Sequence, residues 1–255
     1  MRKIDLQPGK KIYFASDQHF GAPDQISSKI REDRFVRWLN EIKKDAQIVF
    51  LMGDLFDFWH EWKHVVPKGY IRVLGKIAEL KDAGIEVHFF VGNHDLWMKS
   101  YFEDELSVPV YFEKQYYEIA GKQFLLAHGD GLGPGDKGYK RMKKVFTNPV
   151  AQWAFRWLHP DIAMKIANYM SQKNKLISGE EDKEFLGEDK EFLILYSKEK
   201  LKTQKIDYFV FGHRHLPMIL DLNSYSKYIN LGDWIVYFTY GVFDGSQFNL
   251  ETWES

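Results

Sequence analysis

Through the first hundred residues, short apolar runs alternate with amphipathic stretches of helix length, and few folds accommodate that rhythm. Lys11-Ile12-Tyr13-Phe14-Ala15, Ile48-Val49-Phe50-Leu51-Met52 and Val87-His88-Phe89-Phe90-Val91 have the length and the β-branched and aromatic content of buried strands. Between them, Lys29 to Lys44 and Tyr70 to Ala83 carry apolar residues at helical spacing, the second closed by Gly84 as a C-terminal cap. Strand–helix–strand order of this kind predicts an α/β layered sheet. After Val108 the pattern turns strand-rich. Tyr116 to Ile119, a turn at Ala120-Gly121-Lys122 and Phe124 to Ala127 read as a hairpin, Tyr208 to Phe211 as a further strand, and short strands follow Tyr228.

One stretch breaks the rhythm. Residues 137–175 hold nine basic side chains and one acidic one, Asp161, although the whole chain of 255 residues balances 35 basic against 36 acidic groups. Pro149 and Pro160 stand where first helical turns are expected. Val150, Trp153, Ala154, Trp157 and Leu158 then share one helical face, as do Ile162, Ile166 and Met170, so an inserted helical subdomain is predicted. Its apolar face either packs on the core, with the lysines solvated, or lines a cleft. An acidic tandem repeat follows, Glu181 to Leu186 and Glu188 to Leu193, read as an ordinary amphipathic helix with Phe185 and Phe192 on one face.

Five short motifs sit at or just beyond the ends of expected strands: Asp17-Gln18-His19, Gly53-Asp54 with Asp57, Gly92-Asn93-His94-Asp95, His128-Gly129-Asp130 and Gly212-His213-Arg214-His215. Active sites of open α/β sheets gather at the carboxyl ends of strands, so these turns can meet in space. They hold five of the nine histidines, which a random scatter would not do. Carboxylate, amide and imidazole ligands suit a pair of divalent metals bridged by one carboxylate. Glycine ahead of the ligand in three motifs is expected to let the backbone turn sharply. The Asp-x-His and His-x-His spacings are expected to send alternate side chains to one side of an extended backbone. Singly, each motif also reads as a capped turn or as surface histidines.

The absence of cysteine removes thiol nucleophiles, Cys-ligated zinc and disulfides together. A formal charge of −1 argues against nucleic acid as a partner. No long apolar segment stands in the first thirty residues or elsewhere, so neither a signal peptide nor a transmembrane helix is expected, and the chain reads as a soluble intracellular enzyme.

The five motifs in this order resemble the calcineurin-like metallophosphoesterase family. The resemblance implies a single α/β (α+β) domain over 1–255, a four-layer αββα sandwich with a helical lid insertion at about 136–205. It implies one metal held by Asp17, His19, Asp54 and His215, and a second held by Asp54, Asn93, His128 and His213. His94 resembles the family's catalytic histidine, which is not a ligand, and Asp95 would orient its imidazole. An activated water would attack phosphorus in line, with no covalent enzyme intermediate.

Further blocks narrow the resemblance: Gly53-Asp54-Leu55-Phe56-Asp57-Phe58-Trp59, His128-Gly129-Asp130 continued by Gly138-Tyr139, and the basic helical stretch. They are similar to the branch that hydrolyses the pyrophosphate of UDP-2,3-diacylglucosamine to UMP and 2,3-diacylglucosamine 1-phosphate, in lipid A biosynthesis, with Mn²⁺ as the usual metal. Some members of that branch carry arginine where this chain has His94. The branch implies a cytoplasmic enzyme held peripherally on the anionic inner-membrane surface, with Lys137, Lys140, Arg141, Lys143 and Lys144 meeting headgroups. A lid carrying Trp153, Phe155, Trp157, Leu158, Ile162, Ile166 and Met170 would line an acyl cleft, and Asp136, Tyr139, Asn174 and Lys175 would touch the glucosamine phosphate and its chains. Two readings compete with this one: a phosphoesterase for a soluble nucleotide or phosphodiester, and a scaffold that kept the fold without catalysis.

Overall fold

The computed structural model describes residues 1–134, 137–178 and 184–254, without the side chains of 137–139, 142 and 172–178. Two six-stranded sheets stand face to face. One has the order β12-β11-β2-β3-β4-β5, built from β2 (Lys11–Ala15), β3 (Ala46–Leu51), β4 (Glu86–Phe90), β5 (Val110–Tyr111), β11 (Thr239–Phe243) and β12 (Phe248–Thr252). The other runs β1-β6-β7-β8-β10-β9, from β1 (Arg2–Ile4), β6 (Gln115–Ile119), β7 (Lys122–Leu126), β8 (Tyr208–Phe211), β9 (Met218–Asp221) and β10 (Lys227–Asn230). Strands β2 to β5 pair in parallel, as the strand–helix–strand rhythm requires, and β6 and β7 form the expected hairpin.

Period-two alternation along the strands decides the layers. Tyr13, Ala15, Val49, Leu51, Val87 and Phe89 face outward onto α1 (Gln25–Ile42), α2 (Ile71–Asp82) and the short α3 (Tyr101–Leu106), in one core with Phe35, Trp38, Leu39, Val73, Ile77 and Phe102. Their neighbours Ile12, Phe14, Ile48, Phe50 and Phe90 point the other way, against Tyr117, Phe124, Leu126 and Val210 of the second sheet. The far face of that sheet, with Leu125, Phe209 and Phe211, is covered by Leu193 and Ile194 of α7 (Phe192–Leu201). Three apolar cores thus separate four layers, αββα. Full burial of each large side chain stabilises by about 1.5–3 kcal/mol, so both faces of each sheet contribute.

Several local expectations change. Helix α1 begins four residues before the predicted Lys29, because Asp24 accepts hydrogen bonds from the amides of Ile26 and Ser27 as its N-cap. The acidic repeat is not one helix: residues 188–190 form a turn, and only from Phe192 does α7 run. Residues 181–183 of its first copy lie outside the described residues.

Between β7 and α7 stand α4 (Lys137–Phe146), α5 (Pro149–Arg156) and α6 (Pro160–Ser178), with Pro149 and Pro160 opening their helices as expected. The apolar stripes face opposite to one expectation. Val150, Trp153, Trp157 and Ile162 are 70, 61, 75 and 53% exposed, whereas the small Ala163, Ala167 and Ser171, one turn apart, are buried. Phe155 makes the aromatic contact with the core, its ring 4.4 Å from that of Trp97. Helix α7, which the expected insertion at 136–205 included, instead belongs to the outer layer of the sandwich.

Candidate metal centre

Each motif leaves a strand at its carboxyl end: Asp17 and His19 after β2, Asp54 after β3, Asn93 to Asp95 after β4, His128 after β7, His213 and His215 after β8. Parallel pairing of β2–β3–β4 and of β7–β8 puts all five loops at one end of the sheets. Main-chain bonds then knit the loops together, Asp17 N to Gly53 O at 3.0 Å, His19 N to Asp54 O at 2.9 Å and Gly212 N to His128 O at 2.9 Å.

All seven residues expected as ligands converge. His19 Nε2 lies 3.3 Å from His215 Nε2 and 3.7 Å from both Asp17 Oδ1 and Asp54 Oδ2. His215 Nε2 is 3.3 Å from Asp17 Oδ1. On the other side of Asp54, its Oδ2 is 3.3 Å from His128 Nε2, and Asn93 Oδ1 faces His128 Nε2 at 3.1 Å and His213 Nδ1 at 2.8 Å. Ligand atoms of Asp17, His19 and His215 lie within 4.8 Å of one another, as do those of Asp54, His128 and His213. The donor set fits divalent cations: it mixes carboxylate, amide and imidazole, and the buried Asp17 Oδ1 has no hydrogen-bond partner among the described residues.

The electrostatics agree. Burial alone would raise the Asp17 and Asp54 carboxyls, but His215 and His19 beside the first, and His128 and His94 beside the second, hold both below the usual carboxylate range. Burial would lower His128, yet Asp54, Asp17 and Asp130 lift it to about 10, while burial and the neighbouring His128 push His213 down to about 4. A pocket that concentrates this much opposed charge is organised for cations rather than for its own packing.

Two expectations about how the backbone delivers these side chains are corrected. Asp17, His19, His213 and His215 are not on extended backbone; their φ values are 58, 46, 69 and 52°, all left-handed. The chain has already left the strand, so convergence comes from coiling rather than from alternation. The glycines also differ in purpose. Gly53 turns the chain at φ 98°, as expected. Gly92 and Gly212 matter for close approach: a Cβ on Gly92 would strike Asp54, and one on Gly212 would lie 2.5 Å from Asp17 Oδ2.

His94 sits beside the cluster, its amide donating to Asp54 Oδ1 at 2.8 Å. Its imidazole is held by Asp57, whose carbonyl oxygen is 2.8 Å from Nδ1, and not by Asp95. The Asp95 carboxylate instead accepts from the amides of Gly92 and Leu55, at 2.6 and 3.0 Å, and so clamps the β4 loop to the β3 loop. Burial and the charge of Asp54 push its carboxyl up to about 8.

Asp57, singled out in the sequence without a role, lies 3.4 Å from His19 Nδ1 and accepts from Ser171 Oγ of α6 at 2.7 Å. Asp233 went unnoticed; its Oδ2 is 3.2 Å from His215 Nδ1. It follows a strand as Gly232-Asp233, the same signal as Gly53-Asp54, and could have been found by it. Carboxylates behind metal-facing imidazoles fix ring orientation.

Of the four residues expected to touch substrate, Asp136 lies outside the described residues, and so do the side chains of Tyr139, Asn174 and Lys175 on α4 and α6. A cavity of about 700 Å³ opens onto Asn93 and His94 between core and inserted helices, and Phe58, Trp97, Phe146, Phe155, Ile166 and Met170 line it. Phe155, Ile166 and Met170 were expected there; Trp153, Trp157, Leu158 and Ile162 are exposed elsewhere. Among the described residues no helix is long and apolar enough to cross a membrane.

An αββα sandwich with this cluster at its strand ends defines a class, and the sequence match agrees: residues 10–217 match the calcineurin-like phosphoesterases, and the chain belongs to that family. It is a hydrolase, of a family that works with divalent metals. Among curated relatives, the UDP-2,3-diacylglucosamine hydrolase of Porphyromonas gingivalis is 38% identical, over 96% of this chain and 98% of that protein. Proteins of the same name from Histophilus somni and Edwardsiella ictaluri are each 26% identical, over 88 and 72% of this chain and 92 and 70% of theirs.

Proposed function

We propose that the chain hydrolyses the pyrophosphate of UDP-2,3-diacylglucosamine to UMP and 2,3-diacylglucosamine 1-phosphate, a step of lipid A biosynthesis. The observation that carries this reading is the apolar cavity that opens directly onto Asn93 and His94. A soluble nucleotide or phosphodiester needs no such cleft beside its phosphate; a diacylated sugar does. The near full-length similarity to the Porphyromonas gingivalis hydrolase supports the same substrate.

In this reading Asp17, His19, Asp54 and His215 hold one divalent cation and Asp54, Asn93, His128 and His213 a second, both Mn²⁺. Bound there, such ions supply Lewis acidity and an activated water. The chain's own residues do the rest. His94, its Nδ1 anchored on the Asp57 carbonyl, carries a proton on Nε2. With the attacking water already deprotonated to hydroxide, its proton released to solvent, the oxygen would bond to phosphorus as the bridging P–O bond breaks, and the His94 proton would pass to the departing phosphate oxygen. Asp95 keeps the two loops in register, and Asp57 and Asp233 hold His19 and His215.

The chain is then one domain, 1–255, whose inserted helices α4 to α6 form a lid over the acyl chains, with Asp136, Tyr139, Asn174 and Lys175 toward the sugar phosphate. The outward Val150, Trp153 and Trp157, on a strongly basic segment, suit peripheral attachment to the anionic inner membrane from the cytoplasm.

The test compares UMP release from UDP-2,3-diacylglucosamine with release from UDP-sugars that lack acyl chains. Strong preference for the acylated substrate is expected; equal turnover of both would remove the cleft from the argument.

A further inference from the structure

A pyrophosphate that joins a lipid-bearing sugar to a nucleoside has two halves, and the apolar cavity receives only one. A second concavity, of about 350 Å³, adjoins the same loops and shares no described lining residue with the first. His128, Gly129 and Asp130 form one side of it, Phe112, Glu113 and Lys114 beyond β5 another, and Lys143 of α4 reaches in from the inserted helices. The two cavities meet where Asn93 Oδ1 and His128 Nε2 face each other at 3.1 Å, so a phosphate at the metal residues has both within reach.

The chemistry of this second cavity differs from that of the first. Phe112 is 52% exposed, an aromatic ring with no protein packed over much of it. Glu113 and Lys114 make no side-chain hydrogen bond or ion pair with the described residues, although both line the cavity. Lys143 Nζ is held 2.6 Å from Asp130 Oδ2, which keeps one cation beside the phosphate path. An exposed aromatic face, an uncommitted carboxylate and two ammonium groups are what a nucleoside 5′-phosphate asks for: stacking, an acceptor for ring N–H or ribose hydroxyl, and compensation of phosphate charge.

We propose that this cavity binds the nucleoside half of the substrate, a pyrimidine nucleoside 5′-phosphate, with the base against Phe112, Glu113 accepting from the imide or the ribose, and Lys114 and Lys143 toward the phosphates. The proposal rests on the substrate assigned above and extends it to residues that none of the five motifs contains, apart from His128 and its two neighbours.

The experiment is calorimetric titration of the Mn²⁺-loaded full chain with UMP, alongside KM and kcat on UDP-2,3-diacylglucosamine, for the wild type, Phe112→Ala and Phe112→Leu. Loss of stacking should weaken UMP binding about tenfold in Phe112→Ala and raise KM similarly. Phe112→Leu should fall between. UMP affinity and KM within twofold of wild type in folded Phe112→Ala would overturn the proposal. If the wild type binds UMP through Phe112 but releases none from the acylated substrate, the assigned substrate fails while the nucleotide cavity stands. If it releases UMP and neither variant changes KM, the cavity fails while the substrate stands.

Discussion

Acidification should destabilise the fold through a single buried ring. His60 is fully buried, with ring centroids 4.5 Å from Trp62, 5.3 Å from Trp97 and 5.2 Å from Phe155 of α5, and neither ring nitrogen has a hydrogen-bond partner among the described residues. Burial, aided by the positive charges of Lys99 and Arg156, pushes its imidazole down to about 4. In the unfolded chain the ring titrates near 6.5, so between about 4 and 6.5 the unfolded state binds a proton that the folded state refuses. Stability therefore rises with pH across that window and is lost as pH falls. The gap corresponds to about 2 kcal/mol at pH 5 and about 3 kcal/mol at pH 4. His60→Phe keeps an aromatic ring in the cage and removes both the titration and the two unpaired nitrogens. Urea unfolding of wild type and variant, both with chelator present, isolates His60 from every other histidine by difference. Going from about pH 7.5 to pH 5, the variant should gain about 2 kcal/mol on the wild type. A difference that stays constant within about 0.5 kcal/mol would refute the reasoning, because the ring would then be titrating alike in both states.

Two further outcomes bear on the site and its frame. Chelation should abolish hydrolysis and Mn²⁺ restore it, and Asn93→Ala or His128→Ala should lower kcat by orders of magnitude with reduced metal content by mass spectrometry; full activity in metal-free protein would sink the two-metal reading. Arg214, between two of the site's histidines, is held by both carboxylate oxygens of Glu191 at 3.0 and 2.9 Å and is buried with it. Glu191→Ala should therefore cost about 3–5 kcal/mol in urea unfolding, and a loss below about 1 kcal/mol would show that the pair does not hold the β8 loop.

The sequence made the layers legible where burial and period coincide. Val49 and Phe50 must point to opposite faces, and because both are apolar the sheet that carries them must be covered on both sides. The inserted helices were legible as helices but not in orientation. Val150, Trp153 and Trp157 mark a stripe that hydropathy assigns to an interior, whereas α6 turns Ala163, Ala167 and Ser171 inward. Small residues there bring the helix close to the core, close enough for Ser171 to reach Asp57, and hydropathy alone gives alanine and serine no direction. The acidic repeat misled for a related reason: its helical spacing is real, but a chain segment ending in a turn at 188–190 can reuse the same residues without continuing as a helix. The residues expected as ligands could be picked out because each stands in a short motif. Asp233, behind His215, carries the same Gly-Asp signal as Asp54, but its role, like that of the Asp57 carbonyl behind His94, exists only once separate loops have met.

The backbone itself records that these loops serve more than folding. Among the described residues, nine other than glycine have left-handed φ, and five of them are Asp17, His19, Asp54, His213 and His215. That conformation costs an L-residue about 1–2 kcal/mol, less for the Asp and His types found here, and selection for stability alone would place glycine at such positions. The surrounding bonds leave little choice. Asp17 and His19 are tied by their amides to Gly53 and Asp54, the amide of His213 donates to Asp17 Oδ2 at 3.0 Å, and that of His94 to Asp54 Oδ1. Each carboxylate expected to face a metal thus also accepts a main-chain bond, Asp17 from His213 and Asp54 from His94, the neighbour of Asn93. Gly92 and Gly212, which leave room for Asp54 and Asp17, are the complementary half of that arrangement. Strain at the clustered Asp and His residues and absent side chains behind them are two consequences of one requirement: five strand ends brought close enough for Asp54 to serve both halves of the cluster.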